Sequence, residues 1–146
     1  MRIDEATEAD IDVLSTLLGE VEAYYGGRAT PGDPEQIRAA LFGPRPVATV
    51  LIARTDDVLG FASYSFLWPA AGADTSIYLK ELFVREQHRR RGVARALMDA
   101  VRDAGRAAGC SRLEWTADTD NPPALDFYKS LGAETHQGKV FYRSAL

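Results

Sequence analysis

A strand that leads through a basic loop directly into a helix is the feature that most constrains the fold of this chain. Residues 77–84, Ile-Tyr-Leu-Lys-Glu-Leu-Phe-Val, are rich in β-branched and aromatic side chains and predict a strand. After the loop, apolar side chains recur at helical spacing up to about residue 104: Val93, Leu97, Met98 and Val101. A helix N-terminus carries unpaired backbone N–H groups and a partial positive charge, so it attracts anions.

The loop itself strengthens the prediction of an anion site. Arg89, Arg90 and Arg91 add formal positive charge, and Gly92 allows a bound group to approach the backbone closely. The alternative is a solvated surface loop, because neither the Walker nor the Rossmann glycine pattern is present. We interpret the loop as a pyrophosphate site.

Composition limits the remaining possibilities. The 146 residues, 46% hydrophobic and 26% charged, suit one globular domain over residues 1–146. The net charge of -4 argues against a general nucleic-acid binder. No apolar run is long enough to span a membrane, and no signal segment is recognisable, so we expect a cytoplasmic protein. His88, His136 and the single cysteine, Cys110, do not suggest a metal site.

The order of predicted elements is β-α-α-β-β-β-α-β-α-β-β. Thr7 and Asp10 have capping-box spacing, Asp33-Pro34 is a strong helix start, and Asn121-Pro122 is another. The predicted strands cover residues 2–6, 47–54, 59–68, 77–84, 111–117, 134–136 and 139–143. The predicted helices cover residues 7–25, 33–42, 93–104 and 121–131.

Two motifs resemble the signatures of the GNAT superfamily of N-acetyltransferases. The spacing Arg89-x-x-Gly92-x-Ala94 resembles its coenzyme A signature. About thirty residues on, the second signature is resembled by Asn121-x-x-Ala124-x-x-Phe127-Tyr128-Lys129-x-x-Gly132-Ala133. Residues 78–84 and 125–129 look most like the spermidine/spermine (diamine) N-acetyltransferase branch. The resemblance covers the whole chain.

The resemblance implies an α/β (α+β) fold with acetyl-CoA as co-substrate and no metal. The expected sheet is central, mixed, mostly antiparallel and twisted, with about six or seven strands, flanked by four helices and splayed at the acetyl-CoA site. The resemblance further implies that the backbone of residues 82–84 pairs with pantetheine and that the loop holds the pyrophosphate. The implied cofactor-binding residues are Leu82, Phe83, Val84, Arg89, Arg90, Arg91, Gly92, Val93, Ala94, Arg95, Asn121 and Tyr128.

The implied reaction is direct attack of an amine on the thioester, with Tyr128 and Glu81 as the catalytic residues. Tyr128 would face the thioester sulfur and donate to the leaving thiolate. Glu81 is predicted to share a strand face with Ile77, Leu79 and Phe83, where a charge needs a partner or a task. An ordinary carboxyl, of pKa near 4.3, is a weak one-step base for an alkyl ammonium, so we expect Glu81 to act through water.

Each of these residues has a plainer alternative. Tyr128 and Phe127 can be core aromatics, Glu81 can belong to a salt bridge, and Asn121 can be only a helix cap.

The acceptor site is expected to include Tyr24, Trp68, Lys80 and Glu81. Tyr24 matches an aromatic residue of the branch's acceptor site. Tyr25 and Lys80 stand where the polyamine enzymes carry acidic residues, which makes a polyamine doubtful. We therefore expect a small amine with an apolar or anionic portion. A non-catalytic acyl-CoA sensor, a protein amine as acceptor, and a homodimer remain open.

Overall fold

A five-stranded sheet with the strand order β1-β2-β3-β4-β5 is the frame of the larger of two units in this protein. The computed structural model describes residues 1–146, divided into units of residues 1–115 and 116–146. Strands β1 to β4 are antiparallel to their neighbours, and β5 is parallel to β4. The strands are β1 (Arg2–Glu5), β2 (Thr49–Arg54), β3 (Val58–Leu67), β4 (Ser76–Val84) and β5 (Arg112–Glu114).

Four α-helices accompany the strands, and most begin where the sequence predicts. They are α1 (Ile11–Tyr24), α2 (Pro34–Phe42), α3 (Val93–Ala107) and, in the smaller unit, α4 (Pro122–Ser130). Single 3-10 turns, Glu8–Asp10 and Glu86–His88, precede α1 and α3. The Asp33 carboxylate accepts hydrogen bonds from the N–H groups of Glu35 and Gln36, at 2.8 and 3.3 Å, which confirms the predicted cap of α2.

The sheet is covered on both faces. One buried cluster joins the sheet to α1 and α2, and its members are Ala6, Ile11, Leu14, Leu17, Ile37, Val50, Ile52, Phe61 and Phe83. On α3, Leu97, Met98 and Val101 are fully buried. Adjacent residues of β2 that point to opposite faces are therefore both buried, as in any sheet packed on two sides.

A β-bulge in β4 changes which face its side chains occupy. Ser63 pairs with Glu81, but the next residue of β3, Tyr64, pairs with Leu79, so Lys80 is an extra residue on β4. An extra residue shifts the alternation of the strand by one position.

The bulge overturns the prediction that Ile77, Leu79, Glu81 and Phe83 share one face. Ile77 packs on α3, where a Cβ added to Gly105 would lie 2.8 Å from the Ile77 Cγ2 atom. Phe83 belongs to the cluster beneath α1 and α2. Leu79 therefore lies with Ile77 on the α3 side of the sheet, whereas Glu81 lies with Phe83 on the α1 side.

The α+β class, the mixed and mostly antiparallel sheet and the four helices are confirmed, but the predicted number of strands is wrong. Residues 134–136 and 139–143 form no strand, and β5 is three residues long rather than seven. Val140, Phe141 and Tyr142 are 72%, 65% and 86% exposed. The apolar pattern there indicates β-propensity alone, and a strand also needs a neighbouring strand to pair with.

None of the helices has the length and apolar character needed to cross a membrane.

A partly buried ion cluster ties the first strand to the hairpin beside it. The Arg54 guanidinium pairs with the Asp10 carboxylate at 3.0 Å and with the Asp4 carboxylate at 2.8 Å. The side chains of Arg54 and Asp10 are 18% and 13% exposed. The hydrogen bond from Arg54 lowers the pKa of the Asp10 carboxyl below its ordinary value.

We predict that Asp10→Asn destabilises the protein by about 1–3 kcal/mol at pH 7, because Arg54 loses one of its two anionic partners. The folded pKa of Asp10 lies below the unfolded one, so its contribution is complete above roughly pH 4 and is lost as the pH falls through the folded pKa. Urea unfolding from pH 7 to pH 3 should show the difference between the two proteins narrowing at the acid end. Asp103→Asn, in an exposed pair with Arg106, is the control and should cost little.

Candidate functional site

The β4 and β5 strands separate after a short pairing, and this leaves one edge of β4 open within the sheet. β5 pairs only with Ser76, Ile77 and Tyr78, while β4 continues to Val84. The stretch from residue 79 to residue 84 therefore has a strand neighbour on the β3 side alone. Backbone groups on an open edge are available to an extended ligand. The predicted splay is thus present, at the residues expected to pair with pantetheine.

The loop that follows β4 has a backbone suited to holding an anion. Gly92 is the N-cap of α3 and lies in the left-handed region at φ +81°, and Arg90 lies there also, at φ +61°. A Cβ on Gly92 would meet no atom within 4 Å, so the need for glycine is conformational. No side chain caps the first turn of α3, and no acidic residue lies in it. Its backbone N–H groups are therefore oriented for a ligand.

Three exposed arginines surround this helix start: Arg90, Arg91 and Arg95. Val93 is buried with the packed face of α3, which fixes the helix against the sheet. We use the term anion loop for residues 90–95. It combines oriented N–H groups with formal positive charge, which is the pairing that phosphate groups bind.

A network centred on Arg85 anchors the segment before the anion loop. Its guanidinium binds the Glu20 carboxylate through two nitrogens, at 2.9 and 3.0 Å, and donates to the Val58 carbonyl at 2.9 Å. Asp57 accepts from Arg85 at 3.3 Å and lies 3.3 Å from the His88 Nε2 atom. The hydrogen bond with His88 lowers the pKa of the Asp57 carboxyl. Helix α1, the β2–β3 turn and the loop are thereby joined.

Sequence reasoning missed this network. Glu20 and Arg85 are separated by 65 positions, and no local pattern links them. His88, which resembles a surface residue in the sequence, has a side chain only 15% exposed. Charged residues near a predicted loop were the only available signal.

The predicted acceptor residue Tyr24 lies at the C-terminal end of α1, beside the end of β4. Its ring centroid is 6.3 Å from that of Phe83 and 5.1 Å from that of Tyr25, both edge-on. The Arg89 guanidinium carbon lies 4.9 Å from the Tyr24 centroid. Tyr24 is 44% exposed, so one side of the ring packs and the other is accessible.

Two further residues predicted for the acceptor site, Glu81 and Lys80, lie two and three positions before Phe83 in β4. Glu81 is half-buried, opposite Ser63, on the same face as Phe83. Lys80 is the bulged residue and is exposed. The bulge therefore presents a carboxylate and a cation from consecutive positions of the strand.

Trp68 is not brought to the same place as Tyr24. It follows Leu67, which pairs with Ser76 at the opposite end of β4 from Phe83, about 20 Å away along the strand. Its indole N–H donates to the Ala73 carbonyl at 2.9 Å, and the residue is 69% exposed.

The predicted residues of the smaller unit lie on α4. The Asn121 side-chain oxygen accepts from the Ala124 N–H at 3.4 Å, so Asn121 acts as the N-cap of α4. The rings of Phe127 and Tyr128 lie 5.3 Å apart, and both residues are half-buried. Gly132, at φ +76°, follows the end of the helix.

No group of three or more His, Cys, Asp or Glu side chains is arranged to hold a metal.

Known proteins are similar to this chain in sequence and in fold. Thialysine N-epsilon-acetyltransferase from Bos taurus is 29% identical over 142 residues, which cover 90% of this chain and 83% of that protein. Aminoglycoside N(6')-acetyltransferase type 1 from Salmonella typhimurium is 33% identical over 96 residues, 63% of this chain and 66% of that protein. The solved structure of an integron cassette protein from V. cholerae superposes with a TM-score of 0.84 and 31% identity, covering 99% of this chain and 91% of that one.

The family comparison covers both units of the structure. The sequence model of the Acetyltransferase (GNAT) family matches residues 15–133, which include the open edge of β4, the anion loop and α4. The resemblance seen in the two motifs is therefore confirmed: this chain belongs to the GNAT family of acetyltransferases.

Proposed function

We propose that this protein transfers the acetyl group of acetyl-CoA to the primary amine of a small molecule. The observation that carries the proposal is the anion loop beside the open edge of β4, in a chain of the GNAT family. The relatives named above support it, because they are named N-acetyltransferases of thialysine and of aminoglycosides, which are small amines.

The cofactor is proposed to lie along β4 and to end at the anion loop. Leu82, Phe83 and Val84 would pair with the pantetheine amides through their backbone. The N–H groups of Gly92, Val93 and Ala94, with the side chains of Arg90, Arg91 and Arg95, would hold the pyrophosphate. Asn121 contributes to the same molecule in this proposal, in addition to its role as a helix cap.

The acceptor amine must lose a proton before it attacks. An alkyl ammonium has a pKa near 10.4, so forming the free amine at pH 7 costs about 4–5 kcal/mol. Glu81 is half-buried and lies opposite Ser63. In this proposal its carboxylate orients the ammonium group and accepts its proton through an ordered water. The amine nitrogen then forms a bond to the acetyl carbonyl carbon as the carbon–sulfur bond breaks and the sulfur leaves as a thiolate. The nitrogen gives up a second proton to become the amide, and that proton ends on the thiolate, so the products are the N-acetyl amine and the free thiol.

Tyr128 is proposed to serve the leaving thiolate. A thiol of pKa about 8.5 departs readily as its anion, so a tyrosine hydroxyl, of ordinary pKa near 10, needs only to donate a hydrogen bond or a late proton. Tyr128 is therefore expected to help the reaction rather than to be indispensable.

The charges near Tyr24 favour an acceptor with an apolar or anionic portion. Arg89 lies over the Tyr24 ring, Lys80 is exposed on β4, and Tyr25 packs edge-on against Tyr24. A polycation would be repelled by both cations, whereas an amino acid or an amino-acid analogue carries a carboxylate that they attract. Trp68 lies near the end of β4 opposite to Phe83. In this proposal it contacts only the far end of a long acceptor.

The test is incubation with acetyl-CoA and a panel of amines, with free thiol as the readout. The panel contains lysine, thialysine, ornithine, an aminoglycoside, spermidine and a lysine-containing peptide. We predict thiol release above the no-amine control for one or more amino-acid or aminoglycoside acceptors, with a weaker response to spermidine. Coenzyme A binding without turnover of any amine would contradict the proposal and identify an acyl-CoA sensor. Turnover of the peptide alone would identify a protein acceptor.

We predict that Arg90→Glu weakens coenzyme A binding about tenfold or more, because it places negative charge beside the phosphates. Arg90→Gly removes the side chain but suits the left-handed backbone, so it should weaken binding less without loss of stability. Calorimetric titration with coenzyme A measures both effects. Arg106→Glu makes the same charge change about 20 Å away along α3, beyond the screening length, and should leave the affinity unchanged. If all three variants bind coenzyme A as tightly as the wild-type protein does, the anion loop is not part of the binding site.

We predict that Tyr128→Phe lowers kcat for acetyl transfer about ten- to a hundredfold and changes the affinity for coenzyme A by less than twofold, because only the hydroxyl is lost. Steady-state kinetics and calorimetry separate the two quantities. An unchanged kcat would exclude Tyr128 from the mechanism.

A homodimer and a cytoplasmic location stay predictions.

A further inference from the structure

The side chain of Arg89 is directed at the acceptor residue Tyr24. Its Nε–H donates to the Val84 carbonyl at 2.9 Å, and this bond fixes the orientation of the guanidinium plane. The guanidinium carbon then lies 4.9 Å from the centroid of Tyr24 and 5.9 Å from that of Phe83. Both distances are within the range of cation–π interactions. One arginine thus contacts the end of α1 and the end of β4.

From this arrangement we infer that Arg89 is a positioning residue for the acceptor: it holds the Tyr24 ring in place, and its guanidinium does not bind the phosphates. The inference rests on the proposed function, in which Tyr24 lines the acceptor site. It separates Arg89 from Arg90 and Arg91, its neighbours in a run of three arginines, on the basis of contacts that the sequence does not show.

Tyr24 needs such support because of where it lies. It is the last residue of α1, where helices fray, and nearly half of its surface is exposed. Phe83 and Tyr25 contact the ring edge-on, with interplanar angles of 72° and 81°. Arg89 lies over the face of the ring, and its own position is set by the strand through Val84. Removing Arg89 therefore leaves the edge contacts but takes away the cation over the face of the ring.

The same geometry limits what Arg89 can do for the cofactor. A guanidinium presents its donors in its own plane, and the Nε donor is already engaged with Val84. The guanidinium carbon also lies over the Tyr24 ring, 4.9 Å from its centroid. The remaining phosphate binders are the N–H groups of α3 and the side chains of Arg90, Arg91 and Arg95.

The inference is tested with Arg89→Met, which keeps an apolar side chain of similar reach but loses the charge and the bond to Val84. We expect the KM for the acceptor to rise about two- to fivefold, the range that corresponds to an exposed cation–π contact. The kcat value and the affinity for coenzyme A should change by less than twofold. Arg90→Met is the matched control, with the opposite pattern: weaker coenzyme A binding and an unchanged acceptor KM.

A double-mutant cycle shows whether Arg89 acts through Tyr24. Tyr24→Leu alone should raise the acceptor KM, and adding Arg89→Met to it should raise the KM no further. Independent, multiplying effects would overturn the inference, as would a loss of coenzyme A affinity in Arg89→Met equal to that in Arg90→Met. Thermal unfolding of each variant shows whether it is folded, and Arg89→Lys, which retains a charge without a planar group, is the milder substitute.

A spectroscopic arm keeps the inference testable even if no amine is turned over. The ring resonances of Tyr24, assigned by their loss in Tyr24→Leu, should shift in Arg89→Met and stay in place in Arg90→Met. Unshifted resonances in Arg89→Met would overturn the inference whatever the activity. If the resonances shift in Arg89→Met as expected but the wild-type protein acetylates no amine, the proposed function is contradicted and the contact between Arg89 and Tyr24 stands.

Discussion

The structure of the larger unit depends on the bulge at Lys80 in β4. A strand of nine residues with strict alternation would present Glu81 to the same side as Ile77 and Leu79, the side covered by α3. The extra residue reverses the alternation halfway along, so Ile77 and Leu79 lie on the α3 side whereas Glu81 and Phe83 lie on the α1 side. Glu81 and Phe83 reach the side of Tyr24 only for this reason. A backbone irregularity therefore decides which side chains of β4 share a face of the sheet with Tyr24.

The anion loop is held in place from both of its ends. Before it, Arg85 binds Glu20 of α1 and the carbonyl of Val58, so the end of β4 cannot move independently of its neighbours. After it, α3 lies so close to β4 that residue 105 has to be glycine, since a Cβ there would come within 2.8 Å of Ile77. Binding an anion through oriented N–H groups requires this rigidity, because reorienting a loose loop would oppose the binding free energy.

The sequence predicted the parts of the fold that depend on local rules. The cap and proline at Asp33-Pro34 and the cap at Asn121 each act within one turn of chain, and both are found where they were predicted. Gly92 was predicted to allow a bound group to approach the backbone, whereas its left-handed conformation is a finding of the structure. The bulge at Lys80 was not predicted, because nothing in the composition of β4 distinguishes a residue that pairs from one that is skipped. The strands expected at residues 134–136 and 139–143 failed for the complementary reason: a propensity to extend does not supply a partner.

The candidate site shows the same difference between local sequence rules and contacts between distant segments. The proposed cofactor site depends largely on backbone geometry, which two left-handed residues and a helix start determine, and this geometry goes with a residue spacing that can be read directly from the sequence. The proposed acceptor site depends on contacts between distant segments. Tyr24 and Arg89 are 65 positions apart, and the network of Arg85 spans the same separation, so neither leaves a local pattern. The sequence does not distinguish the three consecutive arginines, yet in the structure Arg89 donates to the Val84 carbonyl and places its guanidinium over the Tyr24 ring.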